Sequence, residues 1–126
     1  MAKVLIVDDD KTTVMLLQTL LELDGFEIES VGRGADVMDK ATTFQPDVIL
    51  MDMRMPELDG YAATRQLKDA AETKAIPIIA LTGEAMEEQK RQALDAGCDD
   101  FLSKPVDFDQ LLERITAALK VEDALP

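Results

Sequence analysis

Val4-Leu5-Ile6-Val7 is followed directly by Asp8-Asp9-Asp10, and this stretch decides the fold. A short run of apolar and β-branched residues predicts a strand that is buried on both faces, as in a parallel sheet. A second run of the same kind, Val48-Ile49-Leu50-Met51, is followed by Asp52. Open α/β sheets place their ligand sites at the carboxyl ends of such strands. If the two strands are neighbours, the acids crowd one crevice, where a bound cation relieves their repulsion.

Strand-like and helix-like periods alternate five times along the chain, which predicts an α/β fold with a parallel sheet and helices on both faces. The predicted strands are Lys3–Val7, Phe26–Val31, Asp47–Met51, Ile76–Leu81 and Phe101–Ser103. The predicted helices are Lys11–Leu23, Gly34–Phe44, Gly60–Ala70, Glu84–Ala96 and Phe108–Leu119, the last with Asp107 as its N-cap.

The second strand alternates polar and apolar residues, which is typical of a strand at a sheet edge. The flavodoxin-like, doubly wound (βα)5 order 2-1-3-4-5 satisfies this requirement. It also makes the first and third strands neighbours across the topological switch point. We therefore expect Asp8 and Asp9 to lie beside Asp52.

The composition predicts one acidic domain, 1–126, with a core over about 3–120 and a short C-terminal tail, 121–126. The 13 basic and 26 acidic residues give a net charge of −13, which argues against direct contact with nucleic acid or anionic membranes. No apolar stretch approaches the roughly 18 residues of a membrane span, and no signal peptide is evident, so we expect a cytoplasmic protein. Cys98 is the only cysteine and the chain has no histidine to activate it, which favours a packing role.

Five short motifs in order carry a family resemblance. They are Val7-Asp8-Asp9, Met51-Asp52, Met55-Pro56-Glu57-Leu58-Asp59-Gly60, Leu81-Thr82-Gly83 and Ser103-Lys104-Pro105-Val106. Over Val4 to Leu119 the chain resembles the receiver domain of two-component response regulators. The resemblance implies a signalling switch, not an ordinary enzyme, that takes a phosphoryl group from a sensor histidine kinase or histidine phosphotransfer protein. It also implies a Mg²⁺ cofactor, for which Mn²⁺ substitutes, and a downstream protein target read through the fourth helix, fifth strand and fifth helix.

The resemblance assigns roles to the acids. Asp52 is the phosphoacceptor, Asp9 ligates the metal directly and Asp8 ligates it through water. The backbone carbonyl of Arg54 completes the protein ligands. Asp10 has two interpretations, a first-turn residue favourable to the helix dipole or a further ligand.

Other site residues follow from the later motifs. Thr82 offers a hydroxyl donor and Lys104 a positive charge to the phosphoryl oxygens. Phe101 takes the place of the family's switching aromatic residue, with simple core packing as the alternative. The resemblance further implies a cis peptide bond before Pro105.

Some positions border the predicted pocket or a possible docking surface. Arg54 and Glu84 would rim the pocket and could pair across it, whereas Gly83 leaves the phosphate side open to a partner. Met15 and Leu16 on the first helix are either an apolar patch for a phosphotransfer partner or covered core.

Two functions from other classes compete with the switch. Asp8-Asp9-Asp10-Lys11-Thr12 also matches the Asp-x-Asp-x-Thr signature of haloacid-dehalogenase-like phosphatases, with Asp8 as nucleophile and Asp10 as general acid. That family needs a further acidic metal motif after its lysine, and it leaves Asp52 unexplained. A flavin- or nucleotide-binding module would need a glycine- or hydroxyl-rich phosphate loop after the first strand, where this chain has three acids.

Within the receiver family, two arrangements remain open. Met1 stands directly before the first strand, which favours a free-standing single-domain regulator. The alternative is a receiver module from a hybrid histidine kinase or larger regulator. We expect a monomer or weak dimer.

Overall fold

One parallel sheet organises the protein, seen in a computed structural model that describes residues 2–54, 60–83 and 87–124, with side chains up to residue 119. Within these ranges the strands are β1 (Lys3–Val7), β2 (Glu27–Val31), β3 (Val48–Asp52), β4 (Ile78–Thr82) and β5 (Asp100–Ser103). Their order is β2-β1-β3-β4-β5, and every pairing is parallel. The predicted flavodoxin-like fold is confirmed.

The helices connect successive strands. They are α1 (Lys11–Leu23), α2 (Val37–Phe44), α3 (Gly60–Asp69), α4 (Glu87–Ala96) and α5 (Phe108–Ala124). Asp107 Oδ1 accepts the backbone N–H groups of Asp109 at 2.9 Å and Gln110 at 3.2 Å, so the predicted N-cap is confirmed. None of the described helices combines the length and apolar character needed to cross a bilayer.

Three helix boundaries differ from prediction, one of them by a single residue, since α3 ends at Asp69 and not at Ala70. Gly34–Asp36 forms a 3₁₀ turn and the α-helix begins only at Val37; such turns are frequent at helix N-termini. The last helix continues to Ala124, past the predicted end at Leu119. The predicted start of the fourth helix, Glu84, lies outside the described residues.

β3 and β4 end one residue later than predicted. Asp52 pairs with Leu81 and Thr82 pairs with Ser103, so both polar residues belong to the sheet rather than to the following loops. β4 also begins at Ile78 and not Ile76, since Pro77 has no N–H to donate to a ladder. Asp52 and Thr82 are therefore positioned by the sheet itself.

The side chains alternate between two faces of the sheet, and each face is covered by its own helices. One core joins α1 and α5 to the sheet through Val4, Ile6, Leu17, Leu21, Ile28, Val48, Leu50, Ile79, Leu81, Leu102, Leu111 and Ile115. The other joins α2, α3 and α4 through Leu5, Val7, Val37, Ala41, Ile49, Met51, Met53, Ala63, Leu67, Ile78, Ala80, Ala93 and Cys98. We call these the α1/α5 face and the α2–α4 face. At the edge, Ile28 of β2 is buried while Glu27 and Glu29 are exposed, as predicted.

Candidate functional site

Three carboxylates meet where β1 and β3 end. Asp8 and Asp9 follow β1, Asp52 closes β3, and the register of Val7 with Met51 sets the two strand ends side by side. Each acid offers an oxygen, and these three oxygens lie within 4.8 Å of one another. Oxygen donors of this kind suit a hard divalent cation such as Mg²⁺. The expected crowding of the acids is confirmed.

Lys104 reaches the acids from the end of β5. Its Nζ lies 3.0 Å from Asp8 Oδ2 and 3.6 Å from Asp52 Oδ1. Burial lowers the pKa of Lys104, but the hydrogen bond to Asp8 and the charge of Asp52 outweigh it, so the pKa is raised. The ammonium group therefore stays charged and offsets part of the repulsion between the two carboxylates.

Asp52 is the acid most strongly affected by its surroundings. Its residue is only 6% exposed, and burial raises its pKa to about 6. The Arg54 backbone N–H, which donates to Asp52 Oδ1 at 3.1 Å, opposes this change, whereas the nearby Asp8 adds to it. A buried carboxylate beside a second one favours the approach of positive charge, from a metal ion or from Lys104.

Asp8 and Asp9 are neighbours in sequence but differ in environment. Asp8 is buried, and its oxygens accept the Asp10 backbone N–H at 2.9 Å and the Lys104 ammonium at 3.0 Å. Asp9 is exposed. The buried acid is thus held in place by the protein, whereas the exposed acid is open to an entering cation.

Asp10 serves the helix rather than the acid cluster. It is the N-cap of α1, accepting the Thr12 backbone N–H at 3.0 Å and the Thr13 hydroxyl at 2.8 Å. The hydrogen bonds from Thr13 and then Thr12 lower the pKa of Asp10. The cluster of three oxygens does not include it, so the helix-terminal interpretation is the one that the contacts support.

The proposed switching residues lie on β4 and β5. Thr82, 2% exposed, ends β4 beside Ser103 of β5. Phe101 is half-buried and packs against the core of the α2–α4 face, so core packing is part of its role. The peptide bond between Lys104 and Pro105 is cis, as the resemblance implies.

The predicted rim of the pocket is only partly described. The Arg54 residue is exposed and Gly83 faces open space, since a Cβ atom built there would meet nothing within 4 Å. Glu84, the predicted partner of Arg54, lies outside the described residues, as does the loop 55–59.

Gly60 is a site residue whose role sequence reasoning missed. It opens α3, and its N–H donates to the Met53 carbonyl at 3.2 Å. A Cβ atom on Gly60 would lie 2.5 Å from the Asp52 carbonyl oxygen and 2.6 Å from Met53 Cα. Only glycine lets α3 begin directly against the backbone of Asp52. In the sequence, the Asp59-Gly60 pair of the third motif was the signal that could have indicated this role.

Cys98 is a packing residue, as predicted. It is 5% exposed, its Sγ lies 3.7 Å from the Thr64 hydroxyl, and burial raises the pKa of the thiol to about 11. A thiol with this pKa is a poor nucleophile at neutral pH.

The first helix carries an exposed apolar ridge beside the site. Met15 and Leu16 are 69% and 59% exposed, so the covered-core alternative is wrong. Met15 borders a groove of about 710 Å³ that reaches Asp8 and Asp9. Leu16 borders a second groove, of about 480 Å³, that reaches Lys104 and is lined by Leu17, Leu20, Pro105, Val106 and Phe108. The groove beside Met15 leads to the acids, and the groove beside Leu16 leads to Lys104.

Comparisons with known proteins agree with this geometry. Residues 4–116 match the family model described as the response regulator receiver domain. The chain is 44% identical to protein PilH of Pseudomonas aeruginosa, covering 94% of this chain and 98% of PilH. It is 35% identical to the polar-differentiation response regulator DivK of Brucella anthropi, covering 92% and 94%. It superposes with a TM-score of 0.88 on the receiver domain of a Pseudomonas aeruginosa sensor histidine kinase that holds a magnesium ion in its active-site cleft, at 31% identity and covering 94% and 98%.

Proposed function

This chain belongs to the response regulator receiver family of two-component signalling, and on that premise we propose that it takes a phosphoryl group from a phosphohistidine onto Asp52. The donor is a sensor histidine kinase or a histidine phosphotransfer protein. Receiver domains are switches and not classical enzymes, because the group they accept ends on their own side chain. The single observation that carries the proposal is the cluster of Asp8, Asp9 and Asp52 with Lys104 beside it.

The donor set fits a magnesium ion. Asp8, Asp9, Asp52 and the backbone carbonyl of Arg54 would hold it, with Mn²⁺ as a substitute. Mg²⁺ takes oxygen ligands from one or two carboxylates, waters and phosphate, and when bound it neutralises phosphoryl charge. The structural relative with magnesium in its cleft supports this assignment.

The chain's own residues account for the transfer. An Asp52 oxygen bonds to phosphorus while the P–N bond of the donor breaks and its electron pair returns to the imidazole. The equatorial oxygens need neutralisation during this in-line exchange. The Lys104 ammonium, 3.6 Å from Asp52 Oδ1, contacts one of them, and the Thr82 hydroxyl contacts another. Hydrolysis by water then releases inorganic phosphate and restores the Asp52 carboxylate.

The switch is read on the flank of the sheet that contains β5. Thr82 moves toward the phosphoryl group, and Phe101 fills the space that it leaves. The surface of α4, β5 and α5 changes as a result, and a downstream protein target binds it. Leu94 of α4, 47% exposed, provides an apolar contact on this surface.

The phosphodonor docks at the exposed ridge of Met15 and Leu16. A helix laid on this ridge covers apolar surface, and the flanking grooves lead to the acids on one side and to Lys104 on the other. We place the protein in the cytoplasm as one receiver domain and as a monomer or weak dimer, without direct nucleic-acid contacts. The alternative is a receiver module of a hybrid kinase or larger regulator.

Intact-mass spectrometry after incubation with acetyl phosphate and MgCl₂ tests the proposal. We expect the wild type to gain the mass of one phosphoryl group, and Asp52→Asn or chelation of the metal to abolish the gain. Asp52→Asn is nearly isosteric, so its circular dichroism should match that of the wild type. A phosphorylated Asp52→Asn would contradict the assignment of the phosphoacceptor.

Asp10→Asn separates the switch from the phosphatase alternative. Asparagine still caps a helix, so the variant should take up phosphate like the wild type. A haloacid-dehalogenase-like phosphatase would instead release free phosphate without a stable mass gain and would lose activity in Asp10→Asn.

A further inference from the structure

The helix α4 is attached to the sheet by small side chains and one amide. Of its ten residues, only Ala93 and Ala96 are buried, and Gln89 lies half-buried on the same side, at i, i+4 and i+7 spacing. Leu94, the only large apolar residue of the helix, is 47% exposed. Two alanine methyl groups bury little apolar area, so the position of α4 is weakly determined by packing.

The amide of Gln89 is poorly accommodated in this position. Its Oε1 is buried, and no group of the described residues makes a hydrogen bond to it. Within the described ranges, it is the one buried side-chain oxygen or nitrogen that lacks a hydrogen-bond partner. A buried polar atom without a partner costs free energy, and native structures rarely keep one without a reason.

The location of Gln89 suggests the reason. It is the third residue of α4, seven residues after Thr82, on the inner side of the helix with Ala93. Ala93 belongs to the core against which Phe101 packs. A small displacement of α4 would therefore occur in the same layer as the two proposed switching side chains, and packed helices shift in such small steps.

We infer that Gln89 sets the switching equilibrium of α4, as a positioning residue for the proposed response to phosphorylation at Asp52. In the conformation described here the buried Oε1 of Gln89 has no hydrogen-bond partner among the described residues, which raises the free energy of this position of α4. When α4 moves, the amide reaches a donor or water. The unpaired amide thus keeps the two positions of α4 close in free energy, so that one phosphoryl group suffices to shift the population. This inference rests on the proposed function.

Gln89→Met tests it, with Gln92→Met as the matched control on the exposed side of the same helix. Methionine keeps a long unbranched side chain of similar helix propensity but has no amide to satisfy. Without metal or phosphodonor, we expect Gln89→Met to slow hydrogen exchange of the α4 amides about fivefold and to leave α5 unchanged. Gln92→Met should match the wild type throughout.

The phosphorylated protein provides the second arm. After acetyl phosphate and MgCl₂, at equal phosphate occupancy by intact mass, the wild type and Gln92→Met should show faster α4 exchange. In Gln89→Met this change should be reduced at least about fivefold. Gln89→Leu, with a different shape, should behave the same way if the amide and not the packing is responsible.

The outcomes separate the two proposals. If the wild type takes up no phosphate, the proposed function fails, while the metal-free exchange still decides whether the Gln89 amide destabilises α4. If α4 exchange in Gln89→Met equals that of the wild type, the inference is overturned even when phosphorylation proceeds normally.

Discussion

The two faces of the sheet are packed with different side chains. On the α1/α5 face, Leu111 and Ile115 of α5 are fully buried, and α1 contributes Leu17 and Leu21. On the α2–α4 face, α4 contributes only alanines to the core. Burial of a large aliphatic side chain stabilises by roughly 1.5–3 kcal/mol, several times the contribution of an alanine methyl group. The α5 flank of the sheet is therefore firmly packed, whereas the α4 flank is lightly packed and costs less free energy to rearrange.

The functional residues divide between the same two faces. Along β3, Asp52 lies on the same face as Val48 and Leu50, which belong to the α1/α5 core. Along β4, Thr82 lies on the same face as Ile78 and Ala80, which belong to the α2–α4 core. Because side chains alternate strictly along a strand, the proposed phosphoacceptor belongs to the α1/α5 face and the proposed switch to the face that carries the lightly packed α4.

Truncating one core residue on each face tests the comparison most severely. Ile115→Ala should lower the free energy of unfolding by about 2–5 kcal/mol, because it leaves a cavity under α5. Ala93→Gly should cost only about 1 kcal/mol, mostly through helix propensity. Urea denaturation of both variants measures the difference. Equal losses would mean that α4 is held as firmly as α5.

The burial of Asp52 on the α1/α5 face, with a smaller contribution from the charge of Asp8, should be measurable in metal-free protein. Folding raises the pKa of Asp52 from 3.8 to about 6, so the folded state binds the proton more tightly. The resulting stability is present below about pH 4 and is lost as the pH rises through about 6. The unfolding free energy of Asp52→Asn minus that of the wild type should therefore grow over this range, to at most about 3 kcal/mol at pH 7. Urea denaturation in EDTA from pH 4 to pH 7.5 measures it.

Asp10→Asn is the control for that experiment. Hydrogen bonds from Thr13 and then Thr12 lower the pKa of Asp10, so its contribution to the stability of the fold changes with pH in the opposite direction. The stability that Asp10 contributes is present above its unfolded pKa and is lost as the pH falls. A flat difference for Asp52→Asn would show that Lys104 fully offsets the burial of the carboxylate.

Gly60 is where the α2–α4 face touches the proposed phosphoacceptor directly. Gly60→Ala would place a Cβ atom 2.5 Å from the Asp52 carbonyl oxygen, so α3 or β3 must move. Overpacking of this kind costs about 1–3 kcal/mol. Displacement of Asp52, a proposed metal ligand, should also weaken Mg²⁺ binding about tenfold, measurable by calorimetry. Gly83→Ala, where a Cβ atom meets open space, is the matched control and should bind Mg²⁺ like the wild type. An unchanged affinity of Gly60→Ala for Mg²⁺ would show that the movement forced at residue 60 does not displace the Asp52 carboxylate at the end of β3.

Local periodicity predicted the fold well because each strand and helix is internally consistent. The buried run Val4–Val7 and the alternating residues of β2 place their strands at the centre and the edge without further information. Errors occurred where tertiary pairing decides, as at Asp52 and Thr82, which extend their strands because a neighbouring strand pairs with them.

Residue types at fixed spacing were enough to establish the alternating order of strands and helices, the acids at two strand ends and, through the motifs, the family. Tertiary contacts were needed to establish that Lys104, 96 residues from Asp8, bonds to it, that Gly60 must lack a side chain, and that Gln89 Oε1 is buried without a hydrogen-bond partner among the described residues. Contacts between distant segments depend on how the helices pack on the sheet. No local pattern of residues encodes that packing.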